Sequence, residues 1–170
     1  MNRATEPAMR ERLCELLPRL RRFARGLAGN AHDADDVVQI ALERALARAG
    51  QFREESDGDG HGLEAWVFGI VRNAWLDEVR ARRRRGQVLA PEELGEHVGE
   101  SPFDRRDQAM SVEAAMARLP EEQREAVMLV LVEGLAYKEA AAALEVPIGT
   151  LTSRLARART ALQQMLGEGE

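Results

Sequence analysis

Apolar side chains return every three or four residues through nearly all of this chain, and that rhythm fails over one long stretch only. Leu13, Leu16, Leu17, Leu20, Phe23, Ala24 and Leu27 form the stripe of an amphipathic helix, with Gly29 and Asn30 as its stop. A second helix is expected from Asp33, where His32-Asp33-Ala34-Asp35-Asp36 offers a capping carboxylate and negative charge at the positive end of the helix dipole. Val37, Val38, Ala41, Leu42, Ala45 and Leu46 give it one face, and Gly50 closes it. The polar stretch from Arg53 to Gly62 reads as a flexible loop, and a long helix follows from Leu63 to about Arg85. Beyond the gap, Val112, Ala115, Met116 and Leu119 make a short helical turn stopped by Pro120. Glu121, Glu122 and Glu125 open a helix ending at Gly134. Leu135 to Leu144 forms the next helix, Glu145-Val146-Pro147 breaks the period, and Gly149-Thr150 restarts it. With no strand candidate, the expectation is an all-α fold of two small helical domains, residues 8–86 and 112–166.

Between them, Gln87 to Ser111 holds Pro91, Gly95, Gly99 and Pro102 and shows no sustained period. Charge divides along the same lines. Residues 1–86 carry 16 basic and 14 acidic side chains, residues 87–111 carry 2 and 6, and residues 112–170 carry 6 and 9. The middle segment, residues 87–111, therefore reads as a flexible acidic linker. Lys138 is the only lysine, so the cationic side chains are almost all arginine, the residue suited to bidentate contact with phosphates and base edges.

Several function classes drop out. Cys14 is the only cysteine, which excludes an internal disulfide and a cysteine-based zinc site and suggests a reducing compartment. No signal-peptide core follows Met1. The longest apolar run, Ala126 to Val132, falls far short of the roughly 20 residues a membrane span needs, so a cytoplasmic chain without membrane insertion is expected. His32, His61 and His97 share no spacing, and neither a phosphate-binding glycine loop nor a nucleophile motif is present. Neither an enzyme nor a cofactor or metal is expected.

Two helices carry the functional signal. On the long one, Leu63, Trp66, Val67, Ile70 and Ala74 share a face, while Phe68, Trp75 and Val79 lie nearly opposite with Arg72 among them. Two apolar faces need two partners. Either the helix is sandwiched inside a bundle, or Phe68, Arg72, Asn73 and Trp75 form a surface on which unpaired bases stack. On the last helix, Leu151, Leu155, Ala158 and Leu162 point to a core, leaving Ser153, Ala156, Arg157 and Thr160 outward and Arg154 and Arg159 on the flanks. That arrangement fits a helix-turn-helix entering the DNA major groove, with an ordinary helical hairpin bearing solvated arginines as the alternative.

Three stretches sharpen this: Asp33-Ala34-Asp35-Asp36-Val37-Val38-Gln39; Ala65 through Asn73 with Asp77 and Arg80; and Leu119 through Arg124, leading to Gly134 through Glu139 and then Val146 through Arg159. In these, over about residues 10–86 and 112–166, the chain resembles the extracytoplasmic-function class of bacterial sigma factors, the promoter-recognition subunits of RNA polymerase. The resemblance implies that residues 8–86 correspond to sigma region 2, which docks on the clamp of core RNA polymerase and melts the minus-10 element. Residues 112–166 would correspond to region 4, which reads the minus-35 element and touches the flap. It implies polymerase contact by Asp35, Asp36 and Gln39. Minus-10 DNA would be met by Phe68, Arg72, Asn73, Arg80 and the run Arg82 to Arg85, Arg83 included, and minus-35 DNA by Thr152, Ser153, Arg154, Ala156 and Arg157.

Two departures stand out. The loop corresponding to Phe52 to Leu63, which in related factors captures a flipped base, here carries Glu54, Glu55, Asp57 and Asp59. Thr152 stands where many relatives have Lys or Arg. The resemblance also implies that the linker threads a polymerase channel, its acids mimicking RNA phosphates. An anti-sigma protein would be a partner beside core polymerase and promoter DNA, in the bacterial cytoplasm. Two other readings stay open on the sequence: a sigma-like mimic that titrates an anti-sigma factor, and a stand-alone helix-turn-helix regulator.

Overall fold

The computed structural model describes residues 5–52, 62–86 and 111–167, and among these there is no strand. The proposed linker, residues 87–111, and the base-capturing loop, with Glu54, Glu55, Asp57 and Asp59, lie outside the described residues except at their edges.

Helix α1 spans Thr5–Ala28 and begins earlier than the leucine stripe requires, with Met9 adding a buried turn ahead of Leu13. Leu20 and Phe23 are fully buried on it, and Gly29 ends it in the left-handed region at φ 79°. Helix α2, Ala31–Ala47, is capped differently from the expectation. The cap is Asn30, whose side-chain oxygen accepts the Asp33 N–H at 2.8 Å. The Asp33 carboxylate is left for tertiary pairing. Gly50 falls within a 3₁₀ turn, Ala49–Gln51, that follows α2. Helix α3, Gly62–Arg84, buries both of its apolar faces: Leu63, Val67 and Ala74 on one, Phe68, Val71 and Trp75 on the other. The bundle reading of this helix therefore holds for Phe68 and Trp75.

In the second unit, α4 (Val112–Arg118) is capped by the Ser111 hydroxyl, and α5 (Glu121–Val127) runs into a π-helical turn, Met128–Val132. There the Glu133 N–H donates to the Met128 carbonyl five residues back at 2.8 Å, and Gly134 stops the helix at φ 75°. Helix α6, Tyr137–Ala143, is short and alanine-rich, and Glu145 turns the chain at φ 54° into α7, Ile148–Gly167. Leu151, Leu155 and Ala158 of α7 are buried. Each leucine taken from water in this way contributes about 1.5–3 kcal/mol.

The two units are docked on one another through a continuous apolar core, with α3 against α6 and α1 against α5. Gly69, which faces backbone, sets how closely, whereas Gly26 faces the movable end of a side chain. A Cβ on Gly69 would sit 3.2 Å from the Ala143 carbonyl oxygen, and one on Gly26 would sit 2.9 Å from the Met128 methyl.

Candidate nucleic-acid interface

On α7 the core-facing set fixes the rest. With Leu151, Leu155 and Ala158 inward, Thr152, Ser153, Ala156 and Arg157 are all exposed on the opposite side. The Thr152 hydroxyl donates to the Ile148 carbonyl at 2.9 Å and the Ser153 hydroxyl to the Thr150 carbonyl at 3.2 Å. Both hydroxyl oxygens keep lone pairs for an outside donor while their protons are taken. The face is thus built of short side chains beside one long guanidinium. Arg154 departs from the expectation of a flanking phosphate contact: its side chain is only 15% exposed and lies 3.4 Å from the Glu122 carboxylate. It turns inward because Leu151 and Leu155 anchor the helix with this position over α5.

The α3 residues are divided in the same way. Phe68 is fully buried, edge-on to Phe23 with ring centroids 5.3 Å apart and the Arg19 guanidinium 5.5 Å from its own centroid. No base can stack on it in this structure, a correction to its expected minus-10 role, and the reason is that α1 supplies the partner its apolar face needed. Arg72 is 16% exposed and donates from Nε to Glu125 Oε1 at 3.1 Å. Asn73 is half-buried, whereas Arg80 and Arg83 are exposed. Arg82, grouped by sequence with the DNA-holding arginines, is committed inside the protein. Its Nη1 and Nη2 donate to the two Asp33 oxygens at 3.0 and 2.7 Å, and its Nε to Glu78 at 2.8 Å. That fork holds the Asp33 carboxyl below the usual aspartate range, aided by the Asn30 amide. It also stitches the start of α2 to the end of α3.

At that start, Asp35, Asp36 and Gln39 stand exposed on one side of α2. His32, Asp33 and Asp36 could bring ligand atoms within 4.8 Å of one another, yet both Asp33 oxygens already accept from a guanidinium, which does not suit a cation site.

Sequence reasoning missed two buried acids. Glu125 is 1% exposed, and burial pushes its carboxyl above the ordinary glutamate range against the opposing pull of Arg72. The Glu133 side chain is fully buried and is gripped by Arg22, Nε to Oε1 at 2.7 Å and Nη2 to Oε2 at 2.9 Å, and by Arg19, Nε to Oε2 at 3.2 Å. The available signal was weak: each is an acid bordering the most apolar run of the chain.

Comparison with known proteins agrees with this arrangement. The family description "Sigma-70 region 2" matches residues 14–85, and "Sigma-70, region 4" matches residues 109–162. The ECF RNA polymerase sigma factor EcfG of Rhodopseudomonas palustris is 37% identical over 164 residues, covering 94% of this chain and 85% of that protein. The ECF RNA polymerase sigma factor SigM of Mycobacterium tuberculosis is 38% identical, covering 87% and 71%. Among solved structures, the sigma factor RpoE of Bartonella quintana, crystallised in complex with the anti-sigma factor NepR, superposes with a TM-score of 0.72 at 34% identity, covering 95% of this chain and 98% of that one. Since such relatives match over most of their own length, the chain belongs to the extracytoplasmic-function class of the sigma-70 family of RNA polymerase sigma factors.

Proposed function

We propose that this sigma factor acts by binding and not by catalysis, in the bacterial cytoplasm, giving core RNA polymerase its promoter choice. In this reading residues 8–86 form the polymerase-docking and minus-10 unit, residues 112–166 the minus-35 unit, and residues 87–111 the connection. Asp35, Asp36 and Gln39 meet the clamp; Asn73, Arg80 and Arg83 meet the opened minus-10 strand. Thr152, Ser153, Ala156 and Arg157 enter the major groove at minus-35, where short side chains let the backbone approach base edges and Arg157 reads one of them.

The observation that carries the reading is the exposed, small-residue face of α7 beside Arg157, held outward by Leu151, Leu155 and Ala158. The net charge of −5 is compatible with it, because in a holoenzyme the polymerase supplies most of the attraction to phosphate. Control by an anti-sigma protein is part of the proposal, supported by the likeness to the Bartonella quintana sigma factor crystallised with one. In vitro transcription with purified bacterial core polymerase on promoter fragments from the source genome tests it. Defined transcripts that need this protein are expected. Core binding without any transcript would point to a mimic, and no core binding to a stand-alone DNA-binding regulator.

A further inference from the structure

The outward face of α7 offers hydrogen-bond acceptors and donors unevenly. Thr152, Ser153, Ala156, Arg157 and Thr160 fall within about 140° of the helix circumference, and all are exposed. A hydroxyl ordinarily pairs with a donor or with an acceptor, so Ser and Thr carry little base preference of their own. Here the helix removes that choice. The Thr152 hydroxyl donates to the Ile148 carbonyl at 2.9 Å, that of Ser153 to the Thr150 carbonyl at 3.2 Å, and that of Thr160 to the Ala156 carbonyl at 3.1 Å. Each oxygen is left with acceptor lone pairs only, on a side chain whose rotamer the same bond fixes. Donors are correspondingly scarce. Arg154 is turned inward beside Glu122, and Arg159 lies further round the helix, beyond Thr152. Within the face from Thr152 to Thr160, the side-chain N–H donors are those of Arg157.

In the major groove the bases of one strand divide by the polarity of their exocyclic group. Adenine and cytosine present an amine there, guanine and thymine a carbonyl oxygen. An acceptor-only hydroxyl pairs with the amine and is repelled by the carbonyl, and a guanidinium does the reverse. We infer that Thr152 and Ser153 make this factor select an amino base, adenine or cytosine, on the contacted strand of the upstream promoter element, with Arg157 selecting a guanine close by. The inference deepens the minus-35 role proposed above and rests on it. Ser153 and Arg157 are four residues apart, about 6 Å along the helix axis. Base pairs stack about 3.4 Å apart, so with α7 lying in the groove the two preferences fall within about two base pairs of one another.

The test uses holoenzyme formed from the full chain and purified core polymerase, presented with promoter duplexes whose upstream element is randomised; the bound fraction is sequenced. The parent should enrich adenine or cytosine over guanine or thymine at one upstream position, with guanine favoured near it. Thr152→Val keeps the side-chain shape and removes the acceptor. Either this variant or Ser153→Ala should cut the amino-base enrichment roughly three- to tenfold, the worth of one hydrogen bond. Thr152→Arg should turn the same position toward guanine, and Arg157→Ala should erase the guanine preference while the amino preference stays. An adenine analogue without its exocyclic amine should weaken binding by the parent and leave binding by the Thr152→Val, Ser153→Ala double variant unchanged. Circular dichroism checks that each variant is folded. Guanine or thymine enriched at that position in the parent, or an undiminished amino preference in the double variant, overturns the inference and leaves the minus-35 role standing. A holoenzyme that enriches no upstream sequence at all overturns the minus-35 role and the inference with it.

Discussion

Replacing Phe68 by alanine separates a packing role from a base-stacking role. The ring has no exposed surface, meets Phe23 edge-on at 5.3 Å and has the Arg19 guanidinium over its face. Truncation removes its burial, leaves a cavity between α1 and α3, and breaks an aromatic pair that adds about 0.5–1.5 kcal/mol to the area term. The expected total is about 3–5 kcal/mol, a large share of the 5–15 kcal/mol, roughly, that holds a domain together. For a chain of this size that lowers the Tm by about 6–20 °C. Urea unfolding followed by circular dichroism reads it directly, with Phe68→Leu as the companion that leaves a smaller cavity and costs less. A Phe68→Ala protein within about 1 kcal/mol of the parent but unable to open a promoter would refute the reasoning, since the ring would then be spent on DNA.

Arg157→Ala should weaken binding of the holoenzyme to a cognate promoter by about 1–3 kcal/mol and relax selectivity at one minus-35 position. Equal losses on cognate and unrelated DNA, measured by mobility shift at fixed salt, would make it a phosphate contact. Asp33 is held below the ordinary aspartate range chiefly by Arg82. It contributes stability that is fully present above the unfolded value of about 3.9 and is lost as pH falls through the lower folded value. Asp33→Asn should remove that acid-side loss, so a parent and a variant whose stability falls in parallel below pH 4, roughly, would contradict it. Gly134 sits at φ 75° with open space where a Cβ would go. Gly134→Ala should cost about 1–2 kcal/mol from backbone strain alone, and Gly134→Asn measurably less; equal Tm values for the two would argue against strain.

The helices were legible because periodicity is local. Every buried residue of α7 falls on the stripe that spacing defines, and the glycine stops at Gly29 and Gly134 follow from the left-handed backbone they adopt. The cap of α2 is ambiguous in the sequence because Asn30 and Asp33 are both good capping residues three positions apart, and only the fold, by offering Arg82 to Asp33, decides between them. For α3 the sequence revealed two apolar faces but not what covers them. The spacing leaves a bundle and a base-stacking surface both open for Phe68 and Arg72, the resemblance favours DNA, and only the fold reveals Phe23 and Glu125 as their partners. The inward turn of Arg154 was missed for the same reason. Pairs such as Arg22 with Glu133, separated by 111 positions, leave no local pattern, and these are the contacts that join the two units.

The π turn at Met128–Val132 makes the spacing of this region intolerant of length change. Removing one residue from it would restore ordinary four-residue bonding and by itself improve the helix. It would also rotate everything that follows by about 100°, carrying Glu133 away from Arg19 and Arg22 and swinging α6 off Gly69. A single-codon deletion here is therefore a register error for the part of the second unit that follows, α6 and α7, against the part that precedes it, while substitutions that keep the count leave the register intact.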